Sequence, residues 1–309
     1  MNTKLQDHPY FKQASLMLEI LPLVAEEECF ALKGGTAINF FMRDMPRLSV
    51  DIDLTYLPIE ERAVSLNKMT QALQRIKERI QKTFPSLTIH ERLIKNSSII
   101  TKLYINSPET QVIIEPNLTI RGTVFPGSKK GISEHVKKYF GVSVAMMVVS
   151  KADLYGGKIC AALDRQHPRD LYDIKMLLDN EGLTDEIRRG FIVHLAGHDE
   201  TMSQLLDPVH KDISSIYQSH FEGMTLEPIT LEELLESRKK LVAVIQSSLT
   251  KDEREFLLSL KKGDPQWELM NLSGIDKLPA IQWKLANIRK MKPIHHGTSV
   301  ERLKIILKL

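Results

Sequence analysis

The chain has 309 residues, of which 42% are hydrophobic and 26% are charged, and its formal net charge is +3. This apolar fraction excludes a disordered chain, and the length favours about two domains. The amino-terminal residues lack a signal-peptide core, and no segment approaches the ~18 apolar residues of a membrane-spanning helix. Two cysteines are too few for a disulfide framework. We expect a soluble, cytoplasmic protein without a membrane partner.

Predicted helices and strands alternate in the first 150 residues and give way to helices afterwards. The spacing of apolar residues predicts helices over 10–27 and 59–83. The remaining elements of this half are predicted strands over 48–55, 87–93, 99–105, 111–117 and 144–149, and a loop over 120–131. Helical patterns then cover 150–164, 169–180, 183–196, 230–247 and 250–261. We predict an α+β domain over residues 1–149 and a mainly helical domain over 150–309.

The densest group of chemistry-bearing residues lies between Lys33 and Leu54. Gly34-Gly35-Thr36 forms a glycine turn that opens a helix, where backbone N–H groups and a hydroxyl suit phosphate. Asp51-Ile52-Asp53 then puts two carboxylates on one strand face, about 6.5–7 Å apart. Such a pair suits hard divalent ions that assist phosphoryl transfer. The competing interpretation is a solvent-exposed strand face and an ordinary turn.

Glu115 is a candidate third carboxylate. It ends the apolar run 112–114, and the alternation of that strand leaves its face ambiguous, because Gln111 and Ile113 share it. If this strand lies beside the strand of Asp51, Glu115 completes a metal site.

A second candidate group lies in the first helices of the helical half. Lys158 follows Gly156-Gly157, two mid-helix glycines that indicate close packing or an approaching ligand. Asp170 and Asp173 are three residues apart and therefore share a helix face. From the residues alone, Lys158 is more simply a solvated helix lysine, and Asp173 the partner of a helical ion pair.

Both groups resemble known sequence signatures. Gly34-Gly35-Thr36 followed by Asp51-Ile52-Asp53 resembles the signature of DNA polymerase β-like nucleotidyltransferases. The segments SKADLYGGKICAALDRQHPRDLYDIKML and GDPQWELMNLSGIDKLPAIQWKLANIRK resemble the AbiEii/AbiGii toxin family, so the similarity spans most of residues 30–292. Two departures are a Thr where many members have Ser, and the 15 residues between Gly35 and Asp51, a slightly long spacing.

The resemblance implies a polymerase β-like core, a mixed sheet flanked by helices, followed by a helical domain that contributes Lys158 and an aspartate to the cleft. Asp173 matches the family's acid best, with Asp170 as the alternative, and Lys151 is the alternative to Lys158. In this interpretation Asp51, Asp53 and Glu115 bind Mg²⁺ or Mn²⁺. Gly34, Gly35 and Thr36 cradle the triphosphate of an NTP, which Lys158 neutralises.

The resemblance further implies the toxin of a toxin–antitoxin or abortive-infection system, with a cognate antitoxin and an RNA acceptor such as the tRNA 3′ end. Two basic clusters would meet RNA: residues 129–138, and residues 282–309 with seven basic and one acidic residue, Lys284, Arg289, Lys290 and Lys292 among them. The alternatives are nucleotidyl transfer to a small-molecule or protein hydroxyl, and a catalytically silent nucleotide-binding module.

Overall fold

The computed structural model describes residues 5–6 and 8–309, and the chain divides into two compact units. The first unit comprises the described residues up to Ser150 together with Glu222–Pro228, and the second comprises Lys151–Phe221 and Ile229–Leu309. The sequence did not indicate that Glu222–Pro228 belongs to the first unit. Backbone hydrogen bonds hold this segment there, from Leu48 N to Met224 O and from Leu226 N to Pro46 O, each 2.9 Å long.

A seven-stranded mixed sheet forms the centre of the first unit. Its strands are β1 (Phe30–Lys33), β2 (Ile52–Tyr56), β3 (Thr88–Leu93), β4 (Ile100–Asn106), β5 (Gln111–Pro116), β6 (Ser128–Gly131) and β7 (Ala145–Val148). They are ordered β3-β4-β5-β2-β1-β7-β6. The pairs β2–β5 and β1–β7 are parallel, and all other pairs are antiparallel. The predicted α+β class is therefore confirmed.

Four helical segments accompany this sheet. They are α1 (Pro9–Ala25), α2 (Gly34–Thr36, continued as a π-helix over Ala37–Met42), α3 (Arg62–Thr83) and α4 (Glu134–Phe140). The amphipathic helices α1 and α3 bury their apolar sides in the core, as their spacing predicts. Glu27, which is 5% exposed, joins them through Arg75 Nη2 and Arg79 Nη2, both at 2.6 Å. Burial raises the pKa of Glu27, but the two guanidinium groups lower it below its usual range.

Two parts of the first unit differ from the sequence prediction. The strand expected from Leu48 begins only at Ile52; Leu48, Ser49 and Val50 are buried and Asp51 is half-buried, and all four precede the strand. Strand β6 lies inside the predicted loop 120–131, and α4 was not predicted. β6 escaped prediction because it is an edge strand of sequence SKKG, which carries no alternation of apolar residues.

The second unit is helical, as the sequence predicts. Its helices are α5 (Lys151–Asp164), α6 (Pro168–Asn180), α7 (Asp185–Ala196), α8 (Met202–Leu206), α9 (Ser214–His220), α10 (Leu231–Ser248), α11 (Lys251–Lys262), α12 (Pro279–Arg289) and α13 (Pro293–Leu307). Gly156 packs against the backbone of Gly190, so a Cβ at Gly156 would lie 2.7 Å from the carbonyl carbon of Gly190. Helix packing therefore explains this glycine. Every helix that the structure describes is too short or too polar to cross a bilayer.

Candidate active site

Asp53 and Glu115 lie side by side in the middle of the sheet. Strand β2 pairs with β1 and β5, in registers that place Asp53 opposite Lys33 on one side and opposite Glu115 on the other. Because directly paired residues point to the same face of a sheet, both carboxylates project from one face. Ile52 and Ile114 point to the opposite face and are buried. The structure thus decides the face of Glu115, which the alternation of β5 left open.

Gly34 provides the space that the Asp53 carboxylate occupies. The residue has a φ of +72°, and a Cβ built on it would overlap Asp53 Oδ2 and lie 3.0 Å from Asp53 Cβ. Both the left-handed backbone and the missing side chain are therefore required here. The glycine turn and the second aspartate, predicted as parts of one group, therefore lie against each other.

Thr36 holds the segment that carries Asp51. The side chain is 1% exposed, and its hydroxyl donates a 2.5 Å hydrogen bond to the backbone carbonyl of Asp51, with Ser49 Oγ at 3.0 Å. Gly35 lies beneath the same segment, because a Cβ there would be 2.7 Å from Arg47 Nη2. The Thr36 hydroxyl thus faces the protein interior, and its role in the structure is to position Asp51.

Ser49 and Arg47 are members of this site that sequence reasoning missed. The Arg47 side chain is 2% exposed and donates a 2.7 Å hydrogen bond from Nη1 to the carbonyl of Leu48. Burial of a charged residue directly before an alternating strand has no signature in the sequence. In a regular strand over 48–55, Ser49 would share the open face of Asp51 and Asp53, whereas it is 6% exposed.

Lys102 is a further residue that the sequence analysis did not identify. Its Nζ lies 2.5 Å from Glu115 Oε2. Leu103 pairs with Ile114 in the antiparallel β4–β5 hairpin, so Lys102 and Glu115 are the next residues facing each other. Counting outward from the short turn between these strands would have predicted this contact. Among residues 5–6 and 8–309, no three carboxylate, imidazole or thiol groups are gathered around one metal position.

Lys158, Asp170 and Asp173 come together inside the second unit. Lys158 Nζ lies 2.7 Å from Asp170 Oδ1 and 3.0 Å from Asp173 Oδ2, and all three side chains are at most 6% exposed. Arg165 adds a 2.5 Å contact from Nε to Asp170 Oδ2. Burial alone raises the pKa of Asp170, but the charges of Lys158 and Arg165 hold it well below its usual range. Lys158 is thus a buried ion-pair partner, in contrast to the solvated lysine that the residues alone favoured.

Comparison with known proteins identifies the family of this chain. A family model described as nucleotidyl transferase AbiEii toxin, type IV toxin–antitoxin system, matches residues 15–287. The chain belongs to this AbiEii family. It is therefore a nucleotidyltransferase toxin that uses an NTP and has an antitoxin as its partner.

The structure of MenT4 supports the fold of this AbiEii-family protein. MenT4, a nucleotidyltransferase toxin from Mycobacterium tuberculosis H37Rv, superposes with a TM-score of 0.59 at 14% identity, covering 90% of this chain and 92% of MenT4. Terminal uridylyl transferase 4 from Trypanosoma brucei, with bound dUTP, aligns over 99% of this chain and 96% of its own, at 11% identity and a TM-score of only 0.31. No curated protein matches the chain significantly.

The basic carboxyl-terminal segment of the AbiEii-family chain needs one correction. Lys284 was expected on an exposed basic surface, but it is 8% exposed, and its ammonium donates 2.7 Å hydrogen bonds to the carbonyls of His198 and Glu200. Burial, together with the charge of Lys261, lowers the pKa of Lys284 to about 8. The prediction for Lys284 was wrong because carbonyls just beyond α7 bind its ammonium. The other basic residues of this segment are exposed: Arg289, Lys290, Lys292, Arg302, Lys304 and Lys308.

Proposed function

We propose that this AbiEii-family toxin transfers a nucleoside monophosphate from an NTP to RNA, with a divalent ion, Mg²⁺ or Mn²⁺, bound by Asp51, Asp53 and Glu115. The observation that carries the proposal is the in-register pairing of Asp53 with Glu115, two residues from Asp51. Carboxylate oxygens are the donors that hard divalent ions require, although these three are not gathered around one position in the part of the chain that the structure describes. The close approach of Gly34 to Asp53 supports the same assignment, because the missing side chain of Gly34 leaves room for the Asp53 carboxylate beside the glycine turn.

The glycine turn is proposed to bind the triphosphate. The turn from Gly34 to Thr36 opens a helix, and N–H groups in the first turn of a helix lack partners within the helix and suit phosphate. Thr36 contributes by fixing this turn to Asp51 through its buried hydroxyl. In this proposal the residues from Gly34 to Thr36 cradle the phosphates while the carboxylates stand beside them.

The proposed reaction is a single in-line displacement. An acceptor hydroxyl attacks the α-phosphorus and releases its proton to solvent, a new oxygen–phosphorus bond forms, and the bond to pyrophosphate breaks as that group leaves. A bound divalent ion would stabilise the charge on the attacking and leaving oxygens. The protein supplies position: the strand pairing fixes Asp53 against Glu115, and Thr36 fixes the backbone of Asp51.

The family resemblance also assigns roles to Lys158 and to Asp170 or Asp173. Both aspartates contact the Lys158 ammonium, which supports the proposal that they orient it. Asp170 shares its carboxylate with Arg165 as well. Following the family resemblance, we propose Asp173 as the acid that acts with Lys158, with Asp170 as the alternative.

An RNA acceptor, such as the tRNA 3′ end, is proposed from the charge on each unit. In the first unit the basic cluster lies on β6 and α4, and it comprises Lys129, Lys130, Lys137 and Lys138. Lys137 is paired with Glu134 at 2.6 Å, while Lys129 and Lys138 are exposed. Phosphate contacts of this kind make binding fall steeply with salt, whereas a small-molecule acceptor predicts little salt dependence. An NTP donor and an RNA acceptor imply a cytoplasmic enzyme.

Radioactive transfer tests the proposed function. The protein is incubated with total RNA, Mg²⁺ and each α-³²P-labelled NTP, and labelled RNA is separated by electrophoresis. We expect labelling by the wild type and none by Asp51→Asn with Asp53→Asn, because the metal ligands are lost. Asp44→Asn removes an exposed carboxylate of the same unit and serves as the matched control. Transfer that persists in the double variant would refute the assignment.

A further inference from the structure

A row of charged residues crosses the open face of the sheet. Successive strands β3, β4, β5, β2 and β1 contribute Arg92, Lys102, Glu115, Asp53 and Lys33. The two acids are therefore flanked on both sides by basic residues. Since neighbours in register share a face, each charge in this row lies next to the one on the following strand.

Within this row Lys102 and Glu115 are in direct contact. The Nζ–Oε2 distance is 2.5 Å, and the side chains are 24% and 42% exposed. Charge-assisted hydrogen bonds of this length are among the stronger ones in proteins. The ammonium therefore occupies an oxygen of the very carboxylate that the proposed function assigns to the metal.

We propose that Lys102 is a positioning residue that holds Glu115 and competes with a divalent ion for Glu115 Oε2. This inference rests on the proposed function, because it takes Glu115 as a metal ligand. Glu115 Oε2 carries the ammonium, so a divalent cation that takes this oxygen has to compete with it, since both are positive and repel each other at that distance. Binding of the ion at Oε2 thus displaces the Lys102 ammonium.

Displacement leaves the Lys102 ammonium close to the ion and without its carboxylate. A phosphate oxygen of the nucleotide is the group that gives the Lys102 ammonium a negatively charged partner again. The lysine therefore opposes a divalent ion that arrives alone and favours one that arrives together with a nucleoside triphosphate. Lys102 in this way couples metal binding to nucleotide binding.

Mn²⁺ binding to the nucleotide-free, full-length protein tests the inference, with free Mn²⁺ measured by electron paramagnetic resonance. Lys102→Met removes the competitor, so we expect Mn²⁺ to bind about fivefold more tightly, the factor equivalent to a partly exposed ion pair. Adding each of the four α,β-methylene nucleoside triphosphates should then improve Mn²⁺ affinity less in Lys102→Met than in the wild type.

Two further variants separate this role from a general effect of charge. Lys77→Met breaks a comparable pair in the same unit, because Lys77 Nζ lies 2.8 Å from Glu91 Oε1 with side chains 29% and 28% exposed, and Mn²⁺ affinity should not change. In a Glu115→Gln background, Lys102→Met should have no further effect, because the lysine acts through Glu115. An effect that persists there would show long-range repulsion instead and would overturn the inference.

The outcomes also separate this inference from the proposed function. If Lys102→Met binds Mn²⁺ no more tightly than the wild type, while Asp51→Asn with Asp53→Asn abolishes transfer, Lys102 has no positioning role and the proposed function stands. If Glu115→Gln leaves Mn²⁺ affinity unchanged, Glu115 is not a ligand, and the inference is overturned together with the three-carboxylate assignment.

Discussion

Replacing Gly34 by alanine tests whether the glycine turn exists to admit Asp53. The added Cβ would overlap Asp53 Oδ2 and crowd Asp53 Cβ, and it would sit on a backbone with a φ of +72°. The left-handed conformation costs a non-glycine residue about 1–2 kcal/mol. Overpacking adds about 1–3 kcal/mol, because the Asp53 Cβ is fixed by its strand and only the carboxylate can rotate away. We therefore expect Gly34→Ala to lower the free energy of unfolding by about 2–5 kcal/mol.

Activity should fall even further than stability. The Asp53 carboxylate can escape the new methyl group only by leaving its position, and a displacement of about 1 Å at a reacting centre costs on the order of 100-fold in rate. Gly141→Ala is the matched control, since this glycine of the same unit has a φ of +68° with no atom within 4 Å of the built Cβ. Gly141→Ala should lower the free energy of unfolding only by the cost of the left-handed backbone, about 1–2 kcal/mol, and should keep its activity.

Urea unfolding gives the two stabilities, and transfer of labelled NMP to RNA gives the two activities. This prediction is wrong if Gly34→Ala is destabilised no more than Gly141→Ala and still transfers NMP to RNA at the wild-type rate. That result would mean that the space beside Asp53 can be filled without moving the carboxylate.

Three further predictions concern the second unit. Lys158→Met should lower the free energy of unfolding measured in urea by about 3–5 kcal/mol, because it removes the ammonium that the buried carboxylates of Asp170 and Asp173 share. A loss below about 1 kcal/mol would contradict the buried ion-pair geometry. Because the pKa of Asp170 is lower in the folded protein than its ordinary value of 3.8, its contribution to stability is present above about pH 4 and is lost as the pH falls further. Asp170→Asn should flatten this pH dependence in acid-unfolding titrations, and an unchanged slope would contradict the lowered pKa. Lys284→Met should reduce the unfolding temperature without changing the salt dependence of RNA binding. Lys290→Gln with Lys292→Gln should instead reduce the slope of RNA affinity against salt concentration by about 2 and leave stability unchanged, and the reverse pattern would contradict the burial of Lys284.

The sequence predicts those parts of the fold whose pattern depends on one element alone. Helices α1 and α3 carry their apolar residues at helical spacing, because each presents one side to the core. Strand β6 presents polar residues at the edge of the sheet, so its position depends on pairing with β7 and has no local pattern. Local periodicity therefore suffices for elements with one buried side and fails at the sheet edge.

The same distinction applies to the candidate site. Asp51 and Asp53 were identified because their spacing and the nearby glycine turn are local features. The face of Glu115 required the order of the strands, since only the pairing of β5 with β2 puts it beside Asp53. The burial of Lys284 depends on carbonyl groups more than 80 residues away in the chain, which no local pattern reveals.

The location of a bound metal ion shows most directly whether Asp51, Asp53 and Glu115 form a metal site. Crystals grown with Mn²⁺ and an α,β-methylene nucleoside triphosphate would show the ion by its anomalous scattering. We predict an anomalous peak within about 2.5 Å of carboxylate oxygens of Asp53 and Glu115, with Asp51 beside it and the nucleotide phosphates against Gly34. An ion bound to the nucleotide at another face of the protein, with these three carboxylates uninvolved, would contradict it.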